Sequence, residues 1–173
     1  MPRQTARHLG FALLLLAAAA HAEFTLEAVR ALPPLPESFP SDAALDARVD
    51  WLQARLAATG DDTERYRTQR LLFDEYYYER QDQAAAAVCR ENPPLRLDFA
   101  YRERCILASV SEYEAYMPAL LSLANEARQS PEQAAAAALL KDVAWRQSQW
   151  GDIAGAFENF EAALAVAPAD NAE

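Results

Sequence analysis

Beyond Pro40 the chain carries few residues that can reverse it. Its only glycines there are Gly60, Gly151 and Gly155, and no run alternates apolar with polar residues as a half-buried strand does. Apolar residues recur instead at steps of three and four, as in Leu45, Val49, Leu52 and Leu56. Alanine, leucine, glutamate and arginine dominate the same region. These residues lose little on entering a helix. The pattern predicts an all-α fold.

The breaks set the helices. Ser41 or Asp42 is placed to cap the first, and Gly60 to end it. Asp61-Asp62-Thr63 starts a second, through Tyr66, Arg70, Phe73 and Tyr77, up to a short turn at Arg80-Gln81-Asp82. An alanine-rich helix follows, stopped by Asn92-Pro93-Pro94. The next runs from Leu97 to Ser109, and Ser111-Glu112-Tyr113-Glu114 reads as a capping box for another. Pro118 lies inside that pattern and marks either a true first turn or a bend. Ser130-Pro131-Glu132 opens a helix through Leu139, Leu140 and Val143; Gly151-Asp152 breaks it, and Asp152 begins the last, which ends at Pro168. A single such helix cannot hide its apolar face, so helix–turn–helix pairs must stack.

Residues 1–22 read as a cleavable export signal. Arg3 and Arg7 make a positive start, Phe11 to Ala20 is an apolar run of about 10 residues, and Ala20-His21-Ala22 is a small-x-small cleavage pattern. The run is too short to span a bilayer, no cysteine follows it for lipid attachment, and no later segment suits a membrane span. Removal takes away both histidines, His8 and His21. The 16 basic side chains fall to 14 against 26 acids, and the formal charge moves from −10 to −12. So acidic a chain repels phosphate backbones, and Arg102-Glu103-Arg104 is interrupted by an acid, which argues against nucleic-acid binding. Lys141 is the sole lysine. That bias and the signal together point to a Gram-negative periplasm. Residues 23–40, with Pro33-Pro34-Leu35-Pro36 and Pro40, read as an extended proline-rich lead-in, with a proline-rich ligand segment as the alternative. Residues 41–173 are then the helical domain.

The stretch Ala137–Asp170 resembles a tetratricopeptide repeat (TPR). Gly151-Asp152 matches the family's turn, Ala144 its small residue in the first helix, and Ile153, Ala156, Phe160, Ala163 and Leu164 its second helix, with Pro168 closing it. Leu140 and Gln147 depart from the pattern, where the family often has Trp and an aromatic residue. Upstream, Gln81-Asp82 and Ser111–Pro131 resemble degenerate repeats, and helical hairpins of another all-α kind also fit residues 41–110. The resemblance implies a right-handed α-solenoid whose first helices line a concave groove. Its candidate partner-binding residues are Glu75, Tyr78, Glu79, Tyr101, Lys141, Trp145, Ser148 and Gln149.

Without histidine, Ser-His-Asp and Cys-His nucleophiles and imidazole-bound zinc are unavailable to residues 23–173. No Gly-rich phosphate loop or EF-hand loop occurs, so no catalytic residue, cofactor or metal is assigned. The carboxylate pairs Asp61/Asp62, Asp74/Glu75 and Glu112/Glu114 read as solvated faces; an enzyme would have to use one of them. Cys89 and Cys105 flank the Asn92-Pro93-Pro94 turn, and two readings stand: a disulfide, or two buried thiols. In Tyr76-Tyr77-Tyr78 the middle residue continues the apolar stripe and is assigned to the core. Trp145 and Trp150 flank the last turn, where core packing is the expected fate of a large aromatic. The expected function is that of an exported, non-catalytic scaffold or adaptor for a protein or peptide. Its rival is the sensory front of a membrane signalling protein such as a diguanylate cyclase, because the last repeat has no polar capping helix after it.

Overall fold

The computed structural model describes residues 24–167. The export signal and Pro168 lie outside them. The described residues form helices α1 (Leu26–Arg30), α2 (Leu45–Ala58), α3 (Asp62–Tyr78), α4 (Asp82–Glu91), α5 (Phe99–Ser109), α6 (Tyr113–Ala127), α7 (Gln133–Gln149) and α8 (Ile153–Val166), with no strand among them. The all-α expectation holds. No helix among these residues is long and apolar enough to cross a membrane.

Two local expectations change. The lead-in is not wholly extended, because Thr25 caps the short α1 by accepting from the Ala28 amide. Leu26 and Val29 of α1 are buried, and the helix packs on α3. Nor does Ser41 or Asp42 cap α2. The backbone turns once more after Pro40, with the Ala43 amide donating to the Pro40 carbonyl, and α2 starts at Leu45 after an Ala44 that makes no side-chain cap. Similarly, Glu112 precedes α6 without a side-chain cap bond, so the box expected at Ser111–Glu114 is not made. Pro118 lies inside α6, five residues past its start, with its ring on an exposed position.

Other caps are made as the residues demand. Asp61 accepts from the Glu64 amide at 2.7 Å, and Asp152 from the Gly155 amide at 3.1 Å. The α3–α4 and α7–α8 turns share one geometry. Gln81 N donates to Tyr76 O and Arg80 N to Tyr77 O; Asp152 N donates to Gln147 O and Gly151 N to Ser148 O. Both are Schellman closures with a left-handed residue after the helix. That residue is Gly151 (φ 85°) in one turn and Arg80 (φ 60°) in the other. Thus Arg80-Gln81, one residue earlier than Gln81-Asp82, is the counterpart of Gly151-Asp152.

Each helix from α2 to α8 packs on the next, and α3 also meets α5, as α5 meets α7. The core has two parts. Leu52, Tyr66, Phe73, Ala85, Tyr101 and Cys105 belong to the first, and Phe99, Leu120, Leu140 and Val143 to the second. Helix α5 contributes to both. Its start is fixed by Asp98, which is only 3% exposed. One carboxylate oxygen accepts from the Tyr101 amide at 3.3 Å; the other accepts from Tyr66 Oη at 2.8 Å and lies 3.2 Å from Arg70 Nε.

Two stability measurements test this account. Asp98→Ala strands the Tyr66 hydroxyl and the Arg70 charge and removes a cap, and should lower unfolding free energy in urea by about 3 kcal/mol. Arg80→Gly relieves a left-handed backbone and should raise it by about 1 kcal/mol; no gain would mean the turn holds Arg80 without strain.

Candidate functional site

The side-by-side placement of α3, α5 and α7 is braced by ion pairs that run from helix to helix. Arg104 Nη1 of α5 reaches Asp74 of α3 at 2.7 Å, and Arg146 Nε of α7 reaches Glu103 of α5 at 3.3 Å. At the far side, Arg48 of α2 bonds Glu75 at 2.7 Å and Glu79 at 3.2 Å. Tyr78 stands out from this face, 67% exposed, with the Arg104 guanidinium 5.9 Å from its ring centre. Burial raises the carboxyl pKa of Glu103, with the charge of Asp142 adding to the rise and Arg146 opposing it. Burial likewise raises that of Asp74 against the pull of Arg104. The charges on this face are therefore matched but incompletely solvated. A partner offering its own carboxylate or guanidinium meets groups already oriented.

The residues anticipated for a groove separate into three groups. Glu75 and Glu79 are joined, but through Arg48. Tyr78 is exposed beside α5. Tyr101 is not in a groove at all. It is 2% exposed, with its ring 5.0 Å from Phe73 and 6.0 Å from Tyr66, and its hydroxyl has no hydrogen-bond partner among the described residues. The cause is helical phase: Tyr101, Cys105 and Ala108 share the buried stripe of α5, which leaves Arg104 as the outward residue. Asp74, read from the sequence as part of a solvated carboxylate pair, is instead partly buried and bonded to Arg104, a pairing not anticipated from the sequence. The signal was there in Asp74 and Tyr78, one turn apart on one helix.

Lys141, Trp145 and Gln149 lie exposed along α7, and the Ser148 hydroxyl donates to the Trp145 carbonyl of its own helix at 2.7 Å. Neither Trp145 nor Trp150 is core: each is 60% exposed. Trp150 stacks on Tyr113, with ring centres 4.7 Å apart. Lys141 borders a different feature, a groove of about 570 Å³ between α7 and α8 lined by Ala134, Ala137, Ala138, Phe160 and Leu164. A further cleft of about 680 Å³ lies among α1, the α4–α5 loop and the α6–α7 loop. Its rim includes Glu126, whose carboxyl is held down to about 2 by hydrogen bonds from Arg102 and Arg96, so that this carboxylate is already paired.

Cys89 of α4 and Cys105 of α5 are joined in a disulfide. The bond ties the two helices across the Asn92-Pro93-Pro94 turn. No protein-family model, curated protein or solved structure matches the chain.

The cross-link closes a loop with a sequence separation of 16. Replacing both cysteines with serine should cost about 3 kcal/mol through loop entropy. Reductant should lower the melting temperature of the unsubstituted protein and leave the double variant unmoved.

Proposed function

We propose that the chain is an exported, non-catalytic scaffold that binds a protein or peptide partner on the face made by α3, α5 and α7. The observation that carries this reading is the braced row of three helices from which Tyr78 projects beside Arg104. A surface fixed in this way loses little side-chain freedom on binding, because Arg104 and Arg146 are already held. An exposed tyrosine beside an arginine supplies the residue types that most often anchor protein interfaces. The contacts α3–α5 and α5–α7, with the repeated Schellman turns, support a TPR-like α-solenoid in which these are the inner helices. The leader-like residues 1–22 and the Cys89–Cys105 disulfide support an oxidising, periplasmic location.

The test is affinity recovery from periplasmic extract with the purified chain as bait. A partner held at this face should be lost with Tyr78→Ala and with Arg104→Gln, while helicity is retained and the α7–α8 end is untouched. Undiminished recovery by both folded variants would refute the assignment of this face.

A further inference from the structure

Seven large apolar side chains are markedly exposed among the described residues: Tyr78, Trp145, Trp150, Ile153, Phe157, Phe160 and Leu164. All but Tyr78 belong to α7, α8 or the turn between them. Four of them follow one stripe of α8, Ile153, Phe157, Phe160 and Leu164, at steps of four, three and four. The buried side of the same helix is made by Ala156, Asn159 and Ala163. Helix α8 therefore has two faces that avoid charge, and α7 covers only one of them.

The uncovered face has a particular shape. Its half nearer the C-terminal end of α8 holds the groove floored by Ala134, Ala137 and Ala138, with Phe160 and Leu164 as the opposite wall. Its other half carries Ile153 and Phe157, 56% and 65% exposed, as a ridge. A ridge and a trough lie end to end on one helix. We infer that this face pairs with a second copy of the chain about a two-fold axis, with each copy's Phe157 and Ile153 seated in the other's α7–α8 groove. An axis passing between Phe157 and Phe160 runs the two α8 helices antiparallel. It sets Phe157 against Phe160 of the other copy, and Ile153 against Leu164. Both ridge residues then meet the alanine trough, where small side chains permit close approach.

Charge and area agree with this occupant. Two chains of formal charge −10 repel, and contact is least costly where acids are missing. The groove has no acidic lining residue, and its one charged rim residue is Lys141. The ridge residue Phe157 is followed by the exposed Glu158, which in this pairing supplies a carboxylate for the rim lysine of the other copy. The four α8 side chains expose on the order of 400 Å² together, since one aromatic side chain offers about 150–250 Å². That is about half of the roughly 800 Å² that each partner gives to a standard interface, and the groove walls supply more.

Sedimentation equilibrium on the purified chain alone, from micromolar to sub-millimolar concentration, tests the pairing without any other partner. The expected result is a dimer that becomes monomeric with Phe157→Glu, which charges the ridge, and with Ala138→Trp, which fills the trough. Both positions are exposed, so circular dichroism and melting of the monomer should be retained. Hydrogen exchange on the unsubstituted chain gives a reading that needs no variant: protection of α8 should rise with concentration. A monomer throughout, a dimer that survives either substitution, or concentration-independent exchange of α8 would overturn the inference. None of these outcomes bears on the α3–α5–α7 face, whose variants leave the α7–α8 end intact.

Discussion

The carboxylate of Asp98 is the point on which the two halves of the molecule turn. It is buried and charged, which is unfavourable unless every lone pair is occupied. Tyr66 and Arg70 of α3 occupy one side, and the first turn of α5 the other. The Tyr66 hydroxyl accepts in turn from the Leu95 amide at 3.1 Å, so the α4–α5 loop is held by the same group. Burial and the nearby Asp98 charge push the Tyr66 phenol well above its ordinary value. Since α5 feeds both core clusters, the phase at which it starts decides which residues each cluster receives. Three residues of the first cluster and Phe99 of the second follow from that one starting point. The disulfide from Cys105 to Cys89 then fixes α5 against α4 two turns further on.

Arginine is the second organising device. The chain is strongly acidic, yet arginine ion pairs bridge several of its helix-to-helix contacts. Arg48 joins α2 to α3, Arg104 joins α5 to α3, Arg102 joins α5 to α6, and Arg146 joins α7 to α5. A single exposed pair contributes little. A series of them, partly buried and oriented by guanidinium forks, fixes how neighbouring helices are rotated. The excess of acid is left to the outward positions, where water solvates it.

Helix existence was legible from apolar spacing, because the stripes at 45–56 and 66–77 are long enough to show a period of 3.6. Turns with an aspartate after a glycine were legible too: Asp61 and Asp152 cap the helices they precede. Helix α1 was not, since five residues carry no period and its stability comes from packing on α3. Asp98 was missed because its importance lies in Tyr66, 32 residues away. The candidate site was only partly legible. Tyr78 and Trp145 are exposed as a groove reading requires, but Tyr101 is buried and Arg104 is the residue of α5 that faces outward, a phase that spacing alone does not fix. The tryptophans of the last turn defeated the rule that large apolar residues go inside. That rule assumes a neighbour, and the outer side of α7–α8 has none among the described residues.

Why α8 turns its small residues inward is answered by polar groups. Gln147 and Asn159 are buried at 2% and 4% exposure, and their amides bond each other at 2.7 Å. Gln147 Nε2 also reaches Asp152 at 2.7 Å, and Arg128 reaches the Asn159 oxygen at 2.8 Å. Gly155 sits against this cluster, where a β-carbon would collide with Gln147 and Asp152. Rotating α8 by one residue, about 100°, would bury the Phe157 stripe and gain apolar contact. It would also carry Asn159 away from its partners and leave the buried Gln147 amide without its Asn159 bond, at about 1–3 kcal/mol for an orphaned group. A fully bonded buried network is strongly specific in rotation, whereas apolar burial is not. Gln147, bonded to both Asn159 and Asp152, is thus what holds α8 in its observed phase. That phase leaves a bulky apolar stripe facing outward as a consequence of satisfied hydrogen bonds inside.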